Sequence, residues 1–438
     1  LLFTLLVKTV VIPCDAFSFR VNNPTWNGKF HHTPPTILKA TSSDDGIGVV
    51  NTIKTTYETT LLADRVIQQS PRLPRLRKIF RKNANAQKAK LHRFTYDYDE
   101  MVIGNTSKSA TTAVMLIHPI GVGIGKWYYD RLLQALDERY GDIEHRLVFV
   151  TPDLLGSSTA SGPTDDENGD PMPKLPLLNI TDWTDQVAQL MAEYEAKSEK
   201  EGHVISSWSV VANGGCAPIA LKVASISLQK TSPFKAALTN VVISSPPRLP
   251  FFLDSTDPVK VQKSYRTLSG IAGKLFWWYS LRKDGRFIQK FSEKNLVGDA
   301  ASLGEKWTPN CLAAARLHDG RSRYSTFAFL AGTLQDGCLE SLDALKGSDI
   351  TIDFIRGTDK RRNRAKSWFW TRKNKANDGS SDKEETGNDI DATTEGTIQQ
   401  YVYNNGNRGE ESCVGGRISL AWEDSNGYAK RLMELLCE

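Results

Sequence analysis

Short apolar runs alternate with helical stripes through residues 94–438 of this 438-residue chain. Ala113–His118 and Leu147–Val150 are continuous apolar segments, as in strands buried on both faces of a sheet. Phe94–Ile103 instead alternates apolar and polar residues, which predicts an edge hairpin. Between these segments apolar residues recur at helical spacing, as at Tyr128, Leu132 and Leu136. A second stripe comprises Trp183, Val187, Leu190, Met191 and Tyr194. This alternation predicts an α/β fold with a doubly wound, mostly parallel sheet.

A strand, a sharp turn and a helix are predicted within Trp208–Ala224, whose sequence is WSVVANGGCAPIALKVA. The turn falls at Gly214 and Gly215, and the helix follows it. Further strands are predicted at Ala236–Ile243 and Ile350–Ile355, and a last helix near Asn426–Leu436. The pattern therefore extends to the end of the sequence.

Two long insertions interrupt this rhythm. The first, about residues 246–346, is predicted to be a helical cap with the aromatic clusters Leu275–Tyr279 and Tyr324–Leu330. Packing of the cap onto the core is the favoured role of these clusters, and lining of a site for an apolar ligand is the alternative. The second, about residues 360–395, begins with basic residues around Trp368 and Trp370 and ends in an acidic, Gly/Ser/Thr-rich half. That composition predicts a disordered insertion.

The first residues do not fit the same pattern. Residues 1–17 are mostly apolar and are predicted to be a signal-like segment, and 18–70 are predicted to be transit-peptide-like because Ser, Thr and Asn are frequent. The Ala16–Phe17 junction resembles that in the bipartite presequences of algae with secondary plastids. The resemblance implies a plastid protein, and an ordinary secretory signal is the alternative. No later apolar run in the sequence has the length of a membrane span.

Positive charge is concentrated in two segments, although the net charge is only +5. Arg72–Arg93, within a basic linker predicted at 71–93, carries nine of the fifty-five Lys and Arg residues, and Lys360–Lys375 carries eight. Basic residues beside tryptophan suit an anionic membrane surface. Solvated loops and single-stranded nucleic acid are the alternatives.

Composition indicates no cofactor or metal. The six cysteines are scattered without CxxC pairs, so neither a zinc site nor a disulfide framework is predicted. The glycines of Ile120–Gly125 (IGVGIG) do not have the spacing of a dinucleotide fingerprint. The expected bound partners are thus a membrane surface and a small hydrophobic ligand, with any protein partner unknown.

Several turns resemble those of the α/β-hydrolase superfamily. His118-Pro119-Ile120-Gly121 resembles its oxyanion loop, and Asp153–Ser158 resembles the turn after the next strand. Ile355–Asp359 resembles the turn that carries the catalytic acid. The terminal histidine segment has its counterpart in Gly416 and Arg417, followed by Trp422 and Glu423. The loop from Leu116 to Gly125 is also similar to a cyanobacterial and plastid hydrolase-like group whose elbow lacks serine. The resemblance implies an α/β-hydrolase fold with a helical cap.

Carried over one position at a time, the catalytic triad is degenerate. Gly214 takes the nucleophile position of the G-x-S-x-G elbow, and Asp359 takes the position of the acid. Arg417, or Ile418 if the loop aligns one residue tighter, takes the position of the histidine, and arginine cannot act as a base at neutral pH. Cys216 lies two residues beyond Gly214 and is interpreted as a buried, inert side chain.

A protein of this fold can keep a binding site although its catalytic triad is degenerate. The Gly214–Gly215 turn would present backbone N–H groups at a helix N-terminus, and His118, Ile120 and Gly121 would line the opposite wall. The leading hypothesis is a non-catalytic binding or scaffold protein of the plastid, at a membrane surface. The alternative is a hydrolase that uses an unrecognised nucleophile on a hydrophobic ester.

Overall fold

In a computed structural model, the described residues are 50–59, 92–105, 110–160, 177–247, 257–278, 285–335, 338–359, 398–404 and 406–437. They form an eight-stranded sheet with the order β1-β2-β4-β3-β5-β6-β7-β8. The strands are β1 (Asn51–Thr59), β2 (His92–Ile103), β3 (Ala110–Ile117), β4 (Arg146–Pro152), β5 (Val204–Asn213), β6 (Ala237–Ser244), β7 (Thr351–Gly357) and β8 (Glu411–Val414). β3 to β8 pair in parallel, while β2 pairs antiparallel with both β1 and β4. The predicted fold class is confirmed.

Helices cover both faces of the sheet. They are α1 (Asp130–Tyr140), α2 (Ile180–Lys200), α3 (Ala217–Ser227), α4 (Pro258–Leu268), α5 (Ile271–Phe276), α6 (Arg286–Asn295), α7 (Trp307–Arg316), α8 (Arg323–Ala331), α9 (Cys338–Leu345), α10 (Ile398–Asn404), α11 (Leu420–Glu423) and α12 (Ser425–Cys437). α1 packs against α12 on one face, and α2 and α9 pack against α3 on the other.

Each central strand contributes to both apolar layers. In β3, Ala113, Met115 and Ile117 join one cluster, whereas Val114 and Leu116 join the other. All five are fully buried. Each large aliphatic side chain buried in this way contributes about 1.5–3 kcal/mol, which explains why these strands are continuous apolar runs.

The first strand corrects two predicted boundaries. β1 lies inside the region 18–70 that was predicted to be transit-peptide-like, so the sheet begins well before residue 94. Ile53, Thr55 and Tyr57 are its buried side chains, and threonine is a good strand residue because it is β-branched. β2 is therefore an interior strand and not an edge hairpin. Residues 60–91, with most of the predicted basic linker, join β1 to β2 and lie outside the described residues.

The cap lies between β6 and β7. Helices α4 to α8 form it, while α9 packs on α3 as part of the core layer, so the predicted cap of residues 246–346 includes one core helix. Trp277 and Phe327 are buried against each other with ring centroids 5.8 Å apart, as expected for a cap with its own core. Within the described ranges, no helix combines the length and apolar character needed to cross a bilayer. The predicted disordered insertion lies outside them.

Candidate functional site

The turn after β5 has the geometry of a nucleophile elbow and no nucleophile at its tip. Gly214 follows the last residue of β5 directly and has a φ of +46°. A Cβ atom at Gly214 would meet, among the described residues beyond its chain neighbours, only the Ser245 carbonyl oxygen at 3.5 Å. That is an ordinary contact, so the position has room for a side chain. Glycine relieves the strain that a larger residue would bear at this φ.

Cys216 closes the turn in a setting that disfavours the thiolate form. Its side chain is fully buried, and burial raises the thiol pKa to about 12, while a backbone hydrogen bond from Ile120 acts in the opposite direction. The thiol is therefore protonated at physiological pH, and the thiolate is the nucleophilic form. Pro218 follows within the first turn of α3, where its missing N–H costs no hydrogen bond.

His118 is occupied by the backbone around it. Its Nδ1 lies 3.0 Å from the carbonyl oxygen of Pro119, and the amide of Leu154 donates to its Nε2 at 3.1 Å. Nε2 is thus an acceptor, and the proton resides on Nδ1. Burial lowers the imidazole pKa, while nearby Asp153 opposes this shift. His118 therefore joins two loops, and both ring nitrogens have partners within them.

The glycine-rich loop after His118 is packed against the cap. A Cβ on Gly123, whose φ is +67°, would lie 1.8 Å from the carbonyl oxygen of Cys311 in α7. The Thr326 hydroxyl of α8 donates to the Gly121 carbonyl oxygen at 3.0 Å. At the end of the loop, a Cβ on Gly125 would lie 2.6 Å from Asp153 Oδ1. These close approaches explain why Gly123 and Gly125 lack side chains.

Asp359 lies beside a second carboxylate. It follows β7, and its amide donates to the Gly416 carbonyl oxygen at 3.0 Å. A Cβ on Gly298 of the cap would lie 3.0 Å from Asp359 Oδ2 and 3.4 Å from Glu423 Oε1, so both carboxylates approach the same point. Burial raises the pKa of Glu423, and Asp359 adds to the shift, while amides that include those of Arg417 and Gly298 oppose it. The acid position thus supports a cap–core junction.

The two residues aligned with the catalytic histidine, Arg417 and Ile418, make different contacts. Arg417 donates from its guanidinium to the carbonyl oxygen of Lys294 near the end of α6. Ile418 meets the elbow instead, because its carbonyl oxygen accepts from Asn213 Nδ2 at 3.1 Å and from the Ser245 hydroxyl at 2.8 Å. Of the two predicted alignments, this contact favours Ile418 as the residue facing the turn.

Sequence reasoning missed Asn213 and Ser245. Asn213 Nδ2 also lies 3.0 Å from Tyr128 Oη, and Ser245 has a φ of +49° although it is not glycine. Both side chains are buried at the carboxyl ends of β5 and β6. Strained backbone of this kind persists where the surroundings fix it. The only available signal was the Ser-Ser-Pro-Pro sequence that ends the predicted strand.

The site thus brings together the predicted residues Ile120, Gly214 and Gly215, with Gly121 beside the cap. Ile120 and Gly214 are buried, whereas Gly121 and Gly215 are partly exposed. Both ring nitrogens of His118 are used within the loops, and Asp359 lies with Glu423. Among the described side chains, no nucleophile–histidine pair is assembled here. Nor do these side chains form a cluster of three or more metal-ligating groups.

No protein-family model matches the sequence, and no curated protein is similar to it. Solved structures are similar in fold. The peroxisomal α/β-hydrolase Lpx1 of Saccharomyces cerevisiae is 12% identical, with 88% of each chain covered and a TM-score of 0.48. Cfl2 of Burkholderia cenocepacia is 13% identical over 79% of this chain and 95% of its own, with a TM-score of 0.46.

A 2-hydroxy-6-oxo-6-phenylhexa-2,4-dienoate hydrolase of Rhodococcus sp. strain RHA1 is also 13% identical, over 78% of this chain and 95% of its own, with a TM-score of 0.46. At these identities and TM-scores the likeness carries no argument about activity. The strand order and the order of the turns along the sheet edge are those of the α/β-hydrolase fold.

Proposed function

We propose that this chain is a non-catalytic α/β-hydrolase-fold protein that binds or scaffolds at a plastid membrane surface. The observation that carries the proposal is the composition of the sheet edge, where the described side chains include no nucleophile paired with a histidine. Gly214 has no side chain to attack a carbonyl group, and Ile418, one of the two residues aligned with the histidine, contacts the turn through a backbone carbonyl oxygen. Acyl transfer on this fold needs both a nucleophile and a base.

The alternative, a hydrolase with an unrecognised nucleophile, has its best candidate in Cys216. A fully buried thiol with a pKa near 12 does not supply a thiolate at neutral pH. The same site retains a potential ligand contact, because Gly215 is partly exposed at the start of α3. We accordingly include binding of a small hydrophobic carbonyl compound in the proposal, without turnover.

An ester assay tests the non-catalytic part. Purified wild-type protein is assayed with short- and long-chain p-nitrophenyl esters beside the Gly214→Ser and Cys216→Ala variants. We expect no turnover above buffer in any of the three, because a serine at 214 would still lack a base. Turnover in the wild type that is lost in Cys216→Ala would establish the alternative function. Turnover that Cys216→Ala leaves intact would point to contamination or to another nucleophile.

Liposome co-sedimentation tests the membrane part. The positive charge of Arg72–Arg93 and Lys360–Lys375 supports an anionic surface as the partner. Binding should fall with added salt, because exposed charges are screened over about 8 Å at physiological ionic strength. A variant that lacks residues 360–395 should bind anionic vesicles more weakly than the wild type. Equal binding to neutral and anionic lipid would contradict this part.

A further inference from the structure

Exposed large apolar side chains are concentrated on the cap. Nine large apolar side chains among the described residues are exposed, and two of them, Val204 and Leu228, lie in the core domain. The other seven are Val259, Ile271, Leu275, Trp278, Phe291, Leu317 and Leu330. All seven belong to the helices and turns between β6 and β7. Single exposed apolar residues need no explanation, whereas a contiguous apolar patch marks an interaction surface.

Helix α5 presents the clearest part of this surface. Ile271, Leu275 and Trp278 are 80%, 50% and 52% exposed. Trp278 lies in a helical turn that continues α5, so the three residues follow at helical spacing and share one face. On the inner side, Trp277 is buried against Phe327 of α8, and Gly273 approaches the backbone of Leu268 too closely for any Cβ. These contacts fix the orientation of α5, with its apolar face outward.

Aromatic rings extend the surface from α5 to α6. Phe276 of α5 meets Phe287 of α6 edge to face, with ring centroids 5.9 Å apart. Phe287 in turn stacks on Phe291 at 6.0 Å, and Phe291 is exposed. Phe276 and Phe287 therefore link α5 to the exposed Phe291 in the middle of α6. We call Ile271, Leu275, Trp278 and Phe291 the cap face.

The cap face lies on helices that are rich in basic residues, and the adjoining α4 is basic as well. Helices α4, α5 and α6 contain seven Lys and Arg residues and one acidic residue, Glu293, which accepts a hydrogen bond from Gln289. The seven are Lys260, Lys263, Arg266, Lys274, Arg286, Lys290 and Lys294. All except Lys260 are exposed, and Lys274 lies on α5 between Ile271 and Leu275. A partner that covers this face must therefore offer both apolar and anionic groups.

We infer that the cap face docks on an anionic lipid bilayer. Short helices with apolar residues on one side and Lys or Arg beside them lie in the plane of a membrane interface. Tryptophan at the edge of such a face suits the headgroup region, and the basic residues meet anionic lipid. The inference rests on the membrane part of the proposed function and assigns it to described residues. The bilayer would then lie against the cap, away from the central strands.

The test is vesicle co-sedimentation with a matched control. The cap variant carries Ile271→Ser and Leu275→Ser, and the control variant carries Val204→Ser and Leu228→Ser, which also removes two exposed apolar groups. Each is mixed with phosphatidylcholine vesicles, alone or with about one-third phosphatidylglycerol. We expect the cap variant to lose at least about tenfold in partitioning to the anionic vesicles, because two aliphatic groups no longer insert. The control variant should bind as the wild type, and all three proteins should melt at the same temperature.

Other outcomes separate the inference from the proposed function. Wild-type binding by the cap variant would overturn the cap assignment, and loss of binding on deletion of 360–395 would then leave the membrane function standing. Binding by no protein to either vesicle type would overturn both, while the ester assay would still decide the question of catalysis. A wild-type dimer that becomes monomeric in the cap variant would identify a second copy as the occupant and would also overturn the inference. Brominated lipid should quench wild-type fluorescence more than that of Trp278→Phe, and equal quenching would contradict insertion.

Discussion

The elbow after β5 and the outer face of the cap differ in their exposure to solvent. Polar groups at the elbow are buried and hydrogen-bonded, whereas apolar side chains on the cap are exposed. At the elbow, Asn213 and Ser245 hydrogen-bond the Ile418 carbonyl oxygen, and the Cys216 thiol is buried. On the cap, Ile271 and Leu275 are left exposed beside lysines. A hydrolase of this fold would show the reverse, with exposed reactive groups at the elbow. The comparison shows that polar groups at the elbow are paired within the chain, whereas the cap leaves apolar side chains exposed.

The glycine-rich loop after β3 is packed closely against α7 of the cap, and disrupting this contact should have the largest effect. Gly123→Ala would place a methyl group 1.8 Å from the Cys311 carbonyl oxygen at a φ of +67°. We expect a loss of about 3 kcal/mol in the free energy of unfolding, measured by urea denaturation. Gly202→Ala is the control, since its φ is +84° and no described atom lies within 4 Å of the added group. It should cost only about 1 kcal/mol. Similar losses for both would contradict the packing of the cap on the loop.

The hydrogen bonds at the elbow give the next largest effect. Asn213→Ala removes the amide that contacts Tyr128 Oη and the Ile418 carbonyl oxygen, both in a buried setting. Leaving such partners unsatisfied should cost about 2 kcal/mol in thermal or urea unfolding. If the loss of unfolding free energy were below the measurement error, water would have to replace the lost hydrogen bonds. The sheet edge at the elbow would then be open to solvent, as a catalytic site is.

The strained serine at the end of β6 offers a finer comparison. Ser245→Ala removes the hydrogen bond to Ile418 and keeps the unfavourable φ of +49°, whereas Ser245→Gly removes both. We expect the alanine variant to lose about 1 kcal/mol in unfolding free energy and the glycine variant to be nearer the wild type. The reverse order would show that the serine backbone is not strained.

The smallest expected effect is on the pH dependence of stability. Because burial lowers the pKa of folded His118, the unfolded chain takes up the proton first as pH falls below about 6.5. This histidine therefore favours unfolding in acid and has no such effect above that pH. Unfolding free energies of wild type and His118→Gln, compared near pH 7 and near pH 5, should show a smaller acid loss in the variant. Carboxyls with raised pKa values, such as Glu423, act in both proteins and cancel in the difference. Parallel losses would exclude a titrating role for His118.

Sequence patterns were most informative where both faces of an element are buried. β3 and β4 were continuous apolar runs, and the stripe from Trp183 to Tyr194 lies within α2, which extends from Ile180 to Lys200. β1 was missed because its threonines gave it the composition of a transit peptide, although β-branched residues also suit strands. β1 pairs with β2 although residues 60–91 separate the two strands in the chain. Local composition does not encode such a long-range contact.

For the site, single positions were easier to predict than contacts. The elbow alignment identified Gly214 and the neighbouring turns, because a strand–turn–helix pattern is local. It could not show that Arg417 reaches Lys294 in the cap, or that Asn213 and Ser245 meet the same carbonyl oxygen. These contacts join residues far apart in the chain. The backbone conformation of Ser245 likewise depends on its surroundings.

The most direct test of the central claim is the intact mass of the protein after treatment with a fluorophosphonate and, separately, with p-nitrophenyl acetate. The fluorophosphonate phosphonylates an activated serine. The ester acetylates an activated serine or an activated cysteine. The account predicts no adduct at Cys216 or Ser245 in the native wild-type protein, because both groups are buried and Gly214 offers no nucleophile. Acetyl groups that the ester leaves on the exposed thiols of Cys413 and Cys437 are distinguished by peptide mapping. A stoichiometric adduct mapped to Cys216 or Ser245 in the folded protein would contradict it.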